Sequence, residues 1–199
     1  MGGEREGRLD LYQRLRQATV GKPAPLGPIV DWGCGGGANA VAFASLASEI
    51  TGVDVSADSV AECARQVAAA SATPFTGITA RMDGPEAAAS RIPRPVGLFL
   101  CLYVLDLVPT KEYGLRLMRI AFDLLGPGGQ AFVQVKYSDG SWRPGTRRRG
   151  YRRAVVDTTW RVEEFWTVMA GIGFHPETVV LVPRNDLDER YAYFLLTRP

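Results

Sequence analysis

The chain predicts an α/β fold with a mainly parallel sheet and helices on both faces, on three observations. Short apolar runs alternate with segments of helical period from Ile29 to Leu196. Two of the runs, Val96 to Leu102 and Ala131 to Val135, are nearly continuous, as strands covered on both faces require. The first run ends in Asp31-Trp32 and opens directly into Gly33-Cys34-Gly35-Gly36-Gly37-Ala38. Sheets of this kind bind ligands beyond the carboxyl ends of their strands.

In chain order, Leu9, Leu11, Tyr12 and Leu15 recur at helical spacing, and the stretch Gly21-Lys22-Pro23-Ala24-Pro25-Leu26-Gly27-Pro28 breaks that helix into a stiff linker. The leading segment 1–27 is expected to be a lid or a dimer contact, ahead of a domain over 28–199. A strand is expected near Ile29 to Trp32, a helix over Ala38 to Ser48 and a strand over Ile50 to Val55. Ser56 then suits the N-cap of a helix from Ala57 to Ala70. A short strand near Ile78 to Arg81 and an apolar strand over Val96 to Leu102 precede a helix over Lys111 to Leu125. Gly126-Pro127-Gly128-Gly129 predicts a sharp helix end with glycine at C′. Gln130 to Tyr137 reads as a strand, and an arginine-rich insertion follows over about 138–158. A helix over Val162 to Ile172 and strands over Thr178 to Pro183 and Tyr191 to Leu196 complete the alternation.

A length of 199 residues fits one domain with a full core and leaves no room for a second, substrate-presenting lobe. The three cysteines, Cys34, Cys63 and Cys101, are scattered and odd in number, which argues against a disulfide framework and for a reducing, cytoplasmic setting. Charged residues stand among the first positions, where a signal peptide would carry its apolar core. The longest apolar stretch, around Val96 to Val108, falls short of the ~20 residues of a spanning helix, so no membrane association is expected. A net charge of +2 says little by itself about partners.

The glycine loop carries the functional reading. Gly33, Gly35 and Gly37 remove side chains along one side of the turn, so that backbone and ligand approach closely. Gly33, Gly35 and Ala38 also satisfy the loose G-x-G-x-x-G/A pattern of dinucleotide-binding proteins. The acid at Asp31 and the continued spacing Asp31-x-Gly33-x-Gly35-x-Gly37 favour another ligand. Here the chain resembles the class I S-adenosylmethionine (SAM)-dependent methyltransferases, whose first motif is an acid followed by G-x-G-x-G. Leu124-Leu125-Gly126-Pro127-Gly128-Gly129 is similar to the segment that the same family carries before its fifth strand. The resemblance covers about Pro28 to Pro199. It implies a single-domain, Rossmann-like, seven-stranded sheet with an antiparallel last strand, SAM as cofactor and S-adenosylhomocysteine (SAH) as product.

By the same resemblance, Asp31 contacts the amino acid part of SAM, and Gly33, Cys34, Gly35 and Gly37 make room for it. Asp54, at the end of the second strand, is placed to accept hydrogen bonds from both ribose hydroxyls. Val55 would cover the adenine face, Met82 would pack on the ring and Asp83 would meet the adenine amino group. An Asp-Gly turn accounts for Asp83-Gly84 almost as well. Leu102 and Tyr103 close the fourth strand beside the cofactor.

Methyl transfer from a sulfonium asks the enzyme chiefly to position the acceptor, with a general base useful for protonated oxygen or nitrogen. Asp106 stands where many small-molecule members of the family carry a histidine, and it reads equally as a helix cap or a surface acid. Tyr103 is the second catalytic candidate and, with Lys136 and Tyr137, a candidate to touch the acceptor; Tyr103 reads equally as a rim residue of the core, and Lys136 and Tyr137 as a solvated strand end. The sole histidine, His175, falls before the sixth strand and reads as structural. No cluster has metal-ligand spacing. Arg143, Arg147, Arg148, Arg149, Arg152 and Arg153 lie between Ser141 and Ala154 with no acid among them, which suits a phosphate- or carboxylate-bearing acceptor. Arg143, Arg148 and Arg149 are the substrate-binding candidates. The expectation is methylation of a small anionic metabolite at oxygen by a monomer or homodimer. An RNA or other nucleic-acid methyltransferase, a non-catalytic SAM-binding domain and a merely solvated loop are the alternatives.

Overall fold

The computed structural model describes residues 10–14, 26–137, 158–182 and 190–199. The strands are β1 (Pro28–Trp32), β2 (Glu49–Asp54), β3 (Phe75–Thr79), β4 (Val96–Cys101), β5 (Leu125–Tyr137), β6 (Thr159–Trp160), β7 (His175–Val182) and β8 (Tyr191–Thr197). The helices are α1 (Ala38–Phe43), α2 (Ala57–Ala70), α3 (Pro85–Ala89), α4 (Lys111–Leu124) and α5 (Val162–Ile172). The sheet runs β3-β2-β1-β4-β5-β8-β7, with the two-residue β6 beside β5. β1 to β5 pair in parallel, and β8 runs antiparallel to both β5 and β7, the reversal expected of the last strand. The chain order turns back at β1, whose Asp31 pairs with Gly52 of β2 on one side and Leu100 of β4 on the other. Ligands bind at such switch points, at the carboxyl ends of the strands.

Alternation along the strands divides the core. Val30, Trp32, Phe99, Val133 and Val135 face α4 and α5, whereas Ile29, Leu98, Leu100 and Phe132 face α1 and α2. The second face is closed by the helical turn at 10–14, which inserts Tyr12, 0% exposed, against Phe43 and Phe132. The Tyr12 hydroxyl donates to Gln130 Oε1 at 3.0 Å. The rest of the predicted leading helix and the linker up to Pro25 lie outside the described residues. Tyr12→Phe is expected to cost about 1 kcal/mol of unfolding free energy in urea, because it strands a buried amide oxygen without changing the packing.

Several boundaries differ from expectation for identifiable reasons. α1 stops at Phe43 and tightens into a 3-10 turn over Ala44–Leu46, short of Ser48. β3 begins at Phe75 because its register runs from Ile50↔Phe75 to Asp54↔Thr79. The Phe75 ring fills the space over Gly52, where a Cβ would stand 2.6 Å from it. α3 was not expected; its signal was Pro85 at the first helical position ahead of Ala87-Ala88-Ala89. α4 ends at Leu124 with Leu125 already extended (φ −65°, ψ 142°), so the helix has no left-handed glycine cap. β5 starts at Leu125, and the glycine segment forms the irregularity between Val96 and Leu98 in its pairing with β4. The Ser56 cap matches expectation: its hydroxyl oxygen accepts from Ser59 N–H at 3.2 Å.

α4 and α5 are joined by Lys111, whose ammonium donates to both carboxylate oxygens of Glu164 at 2.6 and 2.8 Å. That hydrogen bond, against a smaller opposing effect of burial, holds the Glu164 carboxyl below its ordinary range. A carboxyl with a depressed folded-state pKa stabilises the fold above the unfolded value and loses that contribution as pH falls through the folded one. Both side chains are more than a third exposed, 38% and 37%, so solvent screening keeps the contribution below about 1 kcal/mol. Glu164→Gln should lower stability slightly at neutral pH and have no effect under strongly acidic conditions, as measured by urea unfolding across pH. No helix among the described residues is long and apolar enough to cross a membrane.

Candidate active site

The site is assembled where β1, β2 and β4 end. Asp31 is wholly buried, and its Oδ2 accepts the Ala40 N–H of α1 at 3.1 Å, bracing the glycine loop from behind. Within the loop, Gly33 and Cys34 N–H both donate to Val53 O, at 2.7 and 3.0 Å, and stitch the turn to the end of β2. Gly33 takes φ +77°, and a Cβ there would stand 2.2 Å from Val104 Cγ2. At Gly35 a Cβ would meet nothing within 4 Å, so the absent side chain leaves open room on the ligand side.

Asp54 ties the loop to the start of α2. Its Oδ2 accepts Gly35 N–H at 2.9 Å and its Oδ1 accepts Ser56 N–H at 2.9 Å. A carboxylate has about four acceptor positions, so each oxygen keeps one for a ribose hydroxyl while the backbone bonds fix its direction.

Trp32, Gly33, Gly35, Val53 and Asp54 form one side of a cavity of about 310 Å³. Val55, Ala80 and Met82 form the second side, and Tyr103, Val104, Leu107, Val108, Tyr113 and Leu117 the third. Among the described residues that line it, Asp54 is the sole charged one. Beyond it the lining is almost wholly apolar, which suits a flat heterocycle held by its faces and oriented by one polar end. Large apolar side chains exposed among the described residues are Val55, Met82, Tyr103, Leu107, Leu181 and Val182, and the first four rim this cavity. Such clustering marks a ligand face rather than scattered surface residues. The open side of Gly35, the fixed Asp54 carboxylate and the apolar slot fit the amino acid end, ribose and adenine of SAM, respectively.

Of the residues expected at the cofactor, Gly33, Gly35, Asp54, Val55 and Met82 line the cavity, as does Tyr103. Asp31, Cys34, Gly37 and Leu102 lie off the wall and support it from behind. The Cys34 thiol is buried, and it is pushed above the ordinary thiol range, first by its hydrogen bond to Cys63 and then by burial. Asp83 departs from its expected place. The Arg81↔Gly84 bridge closes a tight turn that sends Met82 to the cavity and Asp83 outward onto the Arg81 guanidinium, at 2.8 and 3.0 Å. That guanidinium holds the Asp83 carboxyl below the usual range.

Asp106 also lies off the wall: it is 7% exposed, and its backbone carbonyl accepts Thr158 N–H at 3.0 Å. Lys136 and Tyr137 finish β5, half-buried, beside Thr159 and Trp160 of β6. Arg143, Arg148 and Arg149 lie outside the described residues. His175 is exposed at the start of β7, the end of the sheet opposite the cavity, with Nε2 3.9 Å from Glu177. The reading from sequence missed Trp32, Val53, Ala80, Val104, Leu107, Val108, Tyr113 and Leu117. Leu107-Val108 carried a usable signal, an apolar pair between the expected elements.

Residues 29–129 match the family model described as "Methyltransferase domain". The ubiquinone biosynthesis O-methyltransferase of Proteus mirabilis (strain HI4320) is 29% identical over 128 residues, which are 64% of this chain and 47% of that protein. The chain thus spans about half the length of that relative. Among solved structures, the magnesium protoporphyrin IX methyltransferase of Synechocystis PCC 6803 with bound SAH aligns with a TM-score of 0.70 at 15% identity, over 98% of this chain and 83% of that one. The 1,6-didemethyltoxoflavin-N1-methyltransferase of Burkholderia thailandensis, also holding SAH, aligns with a TM-score of 0.70 at 18% identity, over 97% and 79%. The N-methyltransferase NodS of Bradyrhizobium japonicum WM9 with SAH gives 0.66 at 14%, over 96% and 86%. With the motif spacing, the strand order and the family match in agreement, the chain belongs to the class I SAM-dependent methyltransferases.

Proposed function

We propose that this enzyme methylates a small metabolite at oxygen, and that the acceptor bears a phosphate or carboxylate. The observation that carries the anionic part is the arginine run from Arg143 to Arg153, which holds no acid and begins six positions after Tyr137, the last residue of β5. Arginine's planar fork suits bidentate binding of either anion. Oxygen as the methylated atom is supported by the relative from Proteus mirabilis, an O-methyltransferase by name.

SAM supplies a methyl group on a sulfonium, so the departing thioether needs no proton. The work left to the chain is orientation. Asp54 fixes the ribose, and the bare edge of Gly35 lets the cofactor lie close to the loop. Tyr103, at the mouth of the cavity, stands between cofactor and acceptor. Its hydroxyl lies 3.0 Å from that of Tyr193, a pair able to hydrogen-bond an acceptor oxygen. Asp106, buried beside the wall, serves this reading better as a support of the loop than as a base in contact with the acceptor.

Replacing Arg148 and Arg149 with alanine should raise the acceptor KM at least tenfold and leave the SAH Kd within about twofold, a single charged hydrogen bond being worth roughly 1.5–3 kcal/mol. Equal effects on both constants would end the proposal. A nucleic-acid acceptor is disfavoured because the chain's 23 basic residues face 21 acidic ones, and outside the arginine run acids are in excess.

A further inference from the structure

The wall of the cavity that follows β4 is a loop, and it is held from outside by two buried polar side chains, those of Gln134 and Thr158, that do not line the cavity. Tyr103, Val104, Leu107 and Val108 of this loop all line the cavity. Tyr103 stands at φ +60°, the sole non-glycine residue of positive φ among the described residues. For a residue with a Cβ that conformation is unfavourable and persists only where something holds it. The holder is visible. The Tyr103 N–H donates to Oε1 of Gln134 at 2.5 Å, and Gln134 is wholly buried on β5. At the other end, Thr158 donates twice, its N–H to Asp106 O at 3.0 Å and its hydroxyl to Val108 O at 2.9 Å. Thr158 is 6% exposed and immediately precedes β6.

We propose that Gln134 and Thr158 are positioning residues for SAM. Together they hold the 103–108 loop in the shape that forms the third wall of the cofactor cavity, Gln134 by fixing the left-handed turn at Tyr103 and Thr158 by fixing the exit at Val108. Gln134 occupies a place where the neighbouring strand residues Val133 and Val135 are apolar and fully buried. An amide there is costly to bury, and its oxygen has this one described partner to satisfy. Without it, the backbone turn at Tyr103 loses its anchor and is left with the contacts of its side chain, the hydroxyl pair with Tyr193 and the edge-on ring of Tyr191, so the residues behind it shift.

The proposal rests on the assignment of this cavity to SAM, and the titrant is SAH. Gln134→Leu should raise the SAH Kd on the order of tenfold, the scale of the left-handed penalty that is no longer offset. Gln134→Glu, which offers an oxygen in either protonation state, should stay within about threefold of the parent. Thr158→Val, which removes only the hydroxyl, should raise it roughly fivefold.

The deciding arm is a double-mutant cycle. Glycine adopts positive φ without help, so in a Tyr103→Gly background Gln134→Leu should change the SAH Kd by less than about twofold. The same loss in both backgrounds would mean that Gln134 only packs the core, and would overturn the proposal. Hydrogen exchange at the Tyr103 amide of the unaltered protein needs no variant to fold: slow exchange is expected, and exchange at the rate of an open loop amide would also overturn it. Failure of SAH to bind the unaltered protein would instead count against the cofactor assignment, which keeps the two failures distinct.

Discussion

Gly33→Ala is expected to remove SAH binding to below detection in calorimetry, a loss of at least about 3 kcal/mol, and to lower the melting temperature as well. Two effects act together. Alanine at φ +77° carries the left-handed penalty of roughly 1–2 kcal/mol. Its Cβ would also stand 2.2 Å from Val104 Cγ2, a β-branched side chain with little rotamer freedom to retreat. Val104 is itself on the cavity wall, so any relief of the clash reshapes the site. Gly35→Ala makes the informative contrast. Its φ is +48°, yet its Cβ would enter empty space. It should therefore melt closer to the parent while still losing SAH, because the space it enters is the one proposed for the ligand. If Gly33→Ala bound SAH as well as the parent, the loop would not be the cofactor site.

Asp54→Ala is expected to weaken SAH binding by about 3 kcal/mol, more than a hundredfold: in the proposed placement of the ribose two hydrogen bonds to the carboxylate are lost, each worth roughly 1.5–3 kcal/mol before the ligand finds water instead. It also leaves the N–H groups of Gly35 and Ser56 without their present acceptor. Asp54→Asn separates the two roles. The amide keeps one acceptor oxygen for the loop and offers donors where ribose also offers donors, so it should retain stability better than affinity. Calorimetry with SAH and a thermal melt on both variants would measure the split. An Asp54→Ala protein with unchanged SAH affinity would place the ribose elsewhere.

The parts of the fold that were legible in the sequence are those written in local chemistry. The glycine loop after a buried strand, the acid at the end of β2 and the serine cap of α2 each follow from a few adjacent residues, and the structure puts them where the spacing says. The parts that were not legible depend on contacts between distant segments. β3 is displaced because its start is fixed by pairing with β2 and by the Phe75 ring over Gly52. Asp83 turns away because the Arg81↔Gly84 bridge closes a turn that points it outward, onto the Arg81 guanidinium two residues earlier. The third wall of the cavity was missed since Val104, Leu107 and Val108 carry no periodic signal and are shaped by Gln134 and Thr158, which are remote in sequence. Asp106 reads from sequence equally as a group acting on the acceptor and as a cap or surface acid; its burial, which follows from how this loop packs, rules out the surface acid.

The most direct test of the central claim is calorimetric titration of the purified protein with SAH, with NADH in a parallel cell. The cavity chemistry predicts one site of micromolar affinity for SAH, lost in Asp54→Ala, and no heat with NADH. Binding of NADH in place of SAH, or SAH binding that Asp54→Ala leaves intact, would contradict the assignment of this cavity to SAM.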